Sequence, residues 1–162
     1  DKHLKWLNKP SLMKNISKDN KYVHDNLSYD DFIWLDALPL KICLINQLWA
    51  LHGGCEPRFT LENQLQSKIV RTRYVDEYGI SRSLKKNFSQ PFGTKYWAEV
   101  WNGPESIIYG HNVIQSPRFD YGVNHFCLGL DTGCVFGGSL TGAIINENKI
   151  DFVQVKAKYK YY

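Results

Sequence analysis

The chain has 162 residues, enough for one domain with its own core. Its apolar and charged fractions are those of a globular protein. A formal net charge of +4 is too mild to argue for a nucleic-acid partner, and no apolar run approaches the ~20 residues a membrane helix needs.

The first residue is Asp1, and Asp1-Lys2-His3-Leu4 runs into helical text with no cap before it, so an excerpt of a longer chain is expected. Lys2 to Asn8 read as a helix that Pro10 ends. Residues 11–27 are polar and rich in Lys and Asn, as in a surface loop with room for a short helix. Ser28 and Asp31 stand at N-cap and N3 spacing and open a second helix, which Pro39 closes. Leu40 to Ile45 and Leu48 to Leu51 are predicted strands joined by a turn at Asn46-Gln47. Their dense apolar runs predict a sheet covered on both faces. Thr60 with Asn63 predicts a helix start. Residues 76–95 read as a polar loop, and Tyr96 to Trp101 as a short helix. Further strands are expected over Ser106–Tyr109, His125–Leu130 and Leu140–Ile145, then an exposed one over Lys149–Lys156. The basic, aromatic tail 158–162 is expected to fray. Four cysteines, none in a C-x-x-C pair, predict free thiols rather than a zinc knot.

Two histidines share one context. His52 follows the strand Leu48–Leu51 and precedes two glycines; His111 follows the strand Ser106–Tyr109 directly after Gly110. A strand end holds a side chain rigidly, and adjacent glycines leave room for a ligand or for close backbone approach. Neutral imidazole is a good ligand for zinc, manganese or iron. From spacing alone, a pair of ordinary strand-end histidines is the plainer reading, since two histidines do not make a site.

Four segments, in order, carry a resemblance. They are Trp34-Leu35-Asp36-Ala37-Leu38-Pro39-Leu40, His52-Gly53-Gly54 with Pro57 and Leu61-Glu62-Asn63-Gln64, Gly103-Pro104-Glu105 running to Gly110-His111, and Gly129-Leu130-Asp131-Thr132-Gly133-Cys134 running to Thr141. Together the chain resembles the ApaH-like, diadenosine tetraphosphatase-like branch of the calcineurin-like metallophosphoesterases, within the phosphoprotein-phosphatase superfamily. The resemblance implies an α/β fold, part of that family's β-sandwich flanked by helices. It makes residues 1–155 a C-terminal portion of the domain and 156–162 a tail. It implies His52 and His111 as metal ligands, in an enzyme that uses two divalent ions such as manganese, zinc or iron to clamp phosphate and activate a water. Arg71 and Arg73 are candidates for substrate phosphates, because a guanidinium fork binds two oxygens at once. A solvated helix face is the alternative for both.

Other residues read as structural. Asp131 is expected to be a hydrogen-bond acceptor in its turn, Cys134 a packed thiol, His24 and His125 ordinary surface residues, and Trp49, Trp97 and Trp101 core. The family's Gly-Asp and Gly-Asn-His motifs, which carry the bridging carboxylate and the proton donor, do not occur in this sequence. Asp1-Lys2-His3-Leu4-Lys5-Trp6-Leu7 resembles the helix that follows Gly-Asn-His, so those residues are expected upstream of Asp1. Asn112 departs from the family's usual Asp or Thr.

The expected function is metal-dependent hydrolysis of phosphoric ester or anhydride bonds. The partner would be a phosphorylated small molecule, a polyphosphate or a phosphoprotein, in the cytoplasm, or in the vacuole given an upstream anchor. With half the ligands, this chain alone is expected to be inactive. The alternative is a degenerate binding module or a truncated gene product.

Overall fold

The computed structural model describes residues 11, 13, 16–84, 89–146 and 149–161. The expected Lys2–Asn8 helix lies outside them. Contacts divide the chain into two units, Asp1–Pro39 and Leu40–Tyr162. In the first unit, α1 (Lys18–Asn26) is capped by Ser17, whose hydroxyl accepts from the Asn20 amide. α2 (Tyr29–Ala37) has the full capping box: the Ser28 side chain accepts from the Asp31 amide, and the Asp31 carboxylate accepts from the Ser28 amide at 2.8 Å. His24 stacks on buried Phe32, with ring centroids 5.2 Å apart. His24 is therefore a half-buried packing residue rather than an ordinary surface one.

The second unit is mostly β. Its main sheet has the order β1-β2-β6-β8-β7, with β1 (Lys41–Ile45), β2 (Leu48–Leu51), β6 (Ser106–Tyr109), β7 (Arg118–Tyr121) and β8 (Phe126–Gly129). The three central strands β2, β6 and β8 are parallel, and β1 and β7 run antiparallel at the edges. β1 and β2 form a hairpin whose turn residues Asn46 and Gln47 both have positive φ, as a two-residue turn matching strand twist requires. β9 (Ser139–Asn146) and β10 (Lys149–Lys156) form a long hairpin of their own. A small third sheet, β4-β3-β5, is built from Ser81–Arg82, Tyr74–Val75 and Lys95–Tyr96.

The core gathers under the central strands. Trp97, Ile107, Cys55, Cys127 and Val75 are fully buried, and Trp97 meets Trp101 and Tyr109 edge-on at 6.4 and 5.0 Å. Trp49 packs against the same cluster. All four cysteines are free thiols, with Cys55 and Cys127 in the core. Burial pushes both of those thiols well above their ordinary range.

Several local expectations change. β1 is not covered on both faces: Ile42, Leu44 and Ile45 are at least half exposed, because β1 is an edge strand. Thr60 and Asn63 form a turn, Asn63 N donating to Thr60 O, and the only helical turn nearby is α3 (Gln66–Ile69). The polar stretch after residue 75 supplies β4 and the start of β5, short strands that polar side chains disguise. Tyr96–Trp101 contains a 3-10 turn over Trp97–Val100. The tail does not fray through residue 161: Ala157 N donates to Gly138 O, and Tyr161 N to Val135 O.

Candidate functional site

The parallel strands decide where the chemistry gathers. In register, Leu51 stands beside Tyr109, and Tyr109 beside Gly129. The residues just past their carboxyl ends are therefore His52, Gly110-His111 and Leu130-Asp131. That edge of an open parallel sheet is where ligands bind in α/β folds. Gly110 N donates to His52 O at 3.0 Å, and Leu130 N to Tyr109 O at 3.0 Å, so the three ends stay laced beyond the strands.

His52 is level with Gly110. In a continued strand, His111 would point to the opposite face. Instead its φ is +65°, and Asn112 N donates to Gly110 O at 2.7 Å, closing a three-residue turn centred on His111. That turn is rare and strained for a residue with a side chain. It swings the imidazole back over its neighbour: His52 Nε2 and His111 Nδ1 lie 3.1 Å apart, with ring centroids at 4.8 Å.

Of the two glycines after His52, Gly53 answers to backbone approach and Gly54 to a core side chain. A Cβ on Gly53 would sit 2.7 Å from the Val70 carbonyl carbon, and one on Gly54 would fall inside the Trp97 indole. Gly53 N and Gly54 N both donate to Ile69 O at 3.1 Å. This close approach carries Arg71 and Arg73 to the site. Neither stands on a helix face: α3 ends at Ile69, Thr72 is buried, and β3 begins at Tyr74. Arg71 is exposed, whereas half-buried Arg73 donates from Nη2 to the His111 carbonyl at 3.2 Å.

The rest of the His52 loop is tied by side chains. Gln64 accepts from the Glu56 amide at 2.8 Å and donates to the Glu56 carbonyl at 2.9 Å. The buried Glu56 carboxylate accepts from Ser81 N at 2.7 Å and pairs with Lys68 at 3.5 Å. Burial alone would raise its pKa, but the Ser81 donors and the Lys68 and Arg58 charges lower it instead. Asp131 accepts from Gly133 N at 3.1 Å, the structural role expected of it. Cys134 is half-buried and lines the same shallow cavity as His52, His111 and Asp131, about 360 Å³ in volume. His125 lies away from this edge, its Nε2 3.1 Å from the Trp101 carbonyl, and is half-buried rather than on the surface.

The donor set suits a metal in part. Burial, then the charges of Arg73 and His52 with Arg71, outweigh Asp131 and hold His111 down at about 4, so its imidazole is neutral near pH 7. A separation of 3.1 Å lets both nitrogens reach one ion at the usual imidazole bond length of about 2.0–2.1 Å. The other ring nitrogen, His111 Nε2, is buried with no hydrogen-bond partner. Among the described residues no group of three or more His, Cys, Asp or Glu side chains is placed to hold an ion. Two imidazoles are a share of a ligand shell, not the whole. What sequence patterns missed is the turn at His111 and its contact with Arg73. Positive φ at a histidine has no sequence signal.

No protein-family model matches the chain. Its fold is that of a crystal structure described as a proposed diadenosine tetraphosphatase. The TM-score is 0.70 at 24% identity, covering 96% of this chain and 64% of that one. In sequence it is a relative of the bis(5'-nucleosyl)-tetraphosphatases, the ApaH-like branch that its four motifs resemble. It is 38% identical over 149 residues to the asymmetrical bis(5'-nucleosyl)-tetraphosphatase PrpE of Oceanobacillus iheyensis, covering 91% of this chain and 54% of that protein. A shorter match to PrpE of Bacillus cereus strain Q1 is 46% identical over 54 residues, 33% of this chain and 20% of that protein. PrpE of Halalkalibacterium halodurans matches at 37% over 73 residues, 43% of this chain and 27% of that protein. The chain thus spans at most about half the length of these curated relatives. No helix among the described residues is long and apolar enough to cross a membrane.

Proposed function

We propose that this chain is part of a metal-dependent hydrolase acting on dinucleoside polyphosphates, and that His52 and His111 supply two of the ligands of its metal site. One observation carries the reading: a strained turn at His111 brings its neutral imidazole to 3.1 Å from that of His52 at the carboxyl edge of a parallel sheet. The relatives' names, bis(5'-nucleosyl)-tetraphosphatase, support the substrate class. Divalent ions bound there would polarise the phosphoryl oxygen and lower the pKa of a bound water. The chain's own residues do the rest. His52 Nε2 and His111 Nδ1, 3.1 Å apart, would turn their lone pairs to the ion once both are deprotonated, and Arg71 would offer charge-assisted hydrogen bonds to a substrate phosphate. The remaining ligands and the proton donor are assigned to sequence upstream of Asp1. Residues 1–155 then form a portion of the whole domain. Unpaired thiols at all four cysteines support a reducing compartment such as the cytoplasm.

The test compares this chain with one extended by its upstream coding sequence. Release of phosphate from diadenosine tetraphosphate is followed with added manganese or zinc. The extended chain is expected to be active and to lose activity in His52→Ala. The short chain is expected to be inactive, because it lacks most ligands and the proton donor, a role worth ~10²–10⁴-fold. Activity in the short chain would show that its site is complete without upstream residues. Inactivity in both would favour a binding module.

A further inference from the structure

We infer that Arg73 is a positioning residue for His111, a strut that holds its strained turn, and that Arg71 alone is the phosphate-facing arginine. His111 needs such a strut. A non-glycine residue at φ +65° inside a turn closed by Asn112 N and Gly110 O is strained and persists only where its surroundings impose it. The backbone on one side is fixed by Gly110 N on His52 O. On the other side, the peptide oxygen of His111 itself is held by Arg73 Nη2 at 3.2 Å. Arg73 is well founded for this task. Its carbonyl accepts from the amide of Trp97, a fully buried residue, at 3.0 Å, and its neighbour Tyr74 is paired with Tyr96 in the small sheet. The strut therefore runs from the core to the one peptide that aims the imidazole. Arg71, two residues earlier, is exposed and near enough for its charge to act on His111.

The inference rests on the proposed metal reading only in its second measurement. In the first, the full-length protein is stripped of metal and labelled with ¹³C and ¹⁵N in histidine. The Cα and Cβ shifts of residue 111 report its left-handed backbone, and a ring-to-ring nuclear Overhauser effect reports contact with His52. Wild type and Arg71→Ala are expected to show both signals. Arg73→Met, which keeps the apolar stem but no donor, is expected to lose both, and Arg73→Lys to regain them in part. In the second, manganese affinity is titrated: Arg73→Met should weaken it about 10–100-fold, the range seen when a ligand's supporting contact is removed. Arg71→Ala should leave manganese affinity unchanged and raise KM for the substrate. Signals that persist in Arg73→Met overturn the strut. If they vanish there while wild type binds no manganese, the strut stands and the metal reading falls. Should Arg73→Met fail to fold, the same change is made in His111→Gly, where glycine adopts positive φ without strain. Folding should then return, and continued failure overturns the proposal.

Discussion

At the residue scale, the site is governed by backbone crowding and by charge. His111 sits at about 4 in the folded chain against an ordinary 6.5, because burial and the charges of Arg73, His52 and Arg71 outweigh Asp131. Between these values the unfolded chain takes up a proton that the folded chain refuses. Stability is therefore fully present above about pH 6.5 and is lost as pH falls toward about 4. Thermal midpoints measured across that window should drop more for wild type than for His111→Asn, which tolerates the left-handed backbone but does not titrate. The glycines make an opposite pair of tests. Gly54→Ala drives a methyl into the Trp97 indole and should cost about 1–3 kcal/mol or more in urea unfolding. Gly142→Ala meets nothing within 4 Å and should stay within about 0.5 kcal/mol. Both glycines look alike in the sequence; only their neighbours separate them.

At the scale of elements, the loop between β2 and β3 has almost no regular structure, yet it sets the site. Gln64 gives it shape by standing in for a backbone partner of Glu56 and Phe59. Gln64→Leu should cost about 1–3 kcal/mol, because it leaves the Glu56 amide without its partner in a part-buried place. It should also loosen Arg73 relative to His111, seen as faster hydrogen exchange at residues 53–54. The sequence shows Leu61-Glu62-Asn63-Gln64 as a motif and Thr60 as a helix cap. Gln64 in fact ties a turn, and no helix forms there. Propensity favoured the helix, and side-chain bonds to the backbone overrode it. The two strands and the turn of the β1–β2 hairpin were legible, because the strands are apolar runs and the turn is local, but the exposure of β1 was not. β7 was not read: Arg118-Phe119-Asp120-Tyr121 alternates polar and apolar but is only 4 residues long, and its place depends on pairing with β8.

At the scale of the molecule, two apolar surfaces stand open. One is the outer face of the β9–β10 hairpin, where Leu140 and Val155 are paired and more than 60% exposed, with Ile144 and Val153 beside them. The other is the edge strand β1 with Ile42 and Leu44. Exposed apolar strands of this kind associate. The 162-residue chain should therefore self-associate at micromolar concentration in sedimentation experiments, and Leu140→Thr with Val155→Thr should reduce that. A wild-type chain that stays strictly monomeric would count against it. The amino-acid sequence by itself determined the local features: helix caps at Ser28 and Asp31, the strands that end at His52 and His111, and the four motifs that carry the family resemblance. These depend on periodicity and residue chemistry within a few positions. The tertiary structure alone decided that the two histidines meet, that Gly53 admits backbone and Gly54 the Trp97 indole rather than a ligand, and that Arg71 and Arg73 part ways. Each of these depends on which parallel strands lie side by side and in what register. That is set by long-range packing between segments some sixty residues apart, which no local pattern encodes.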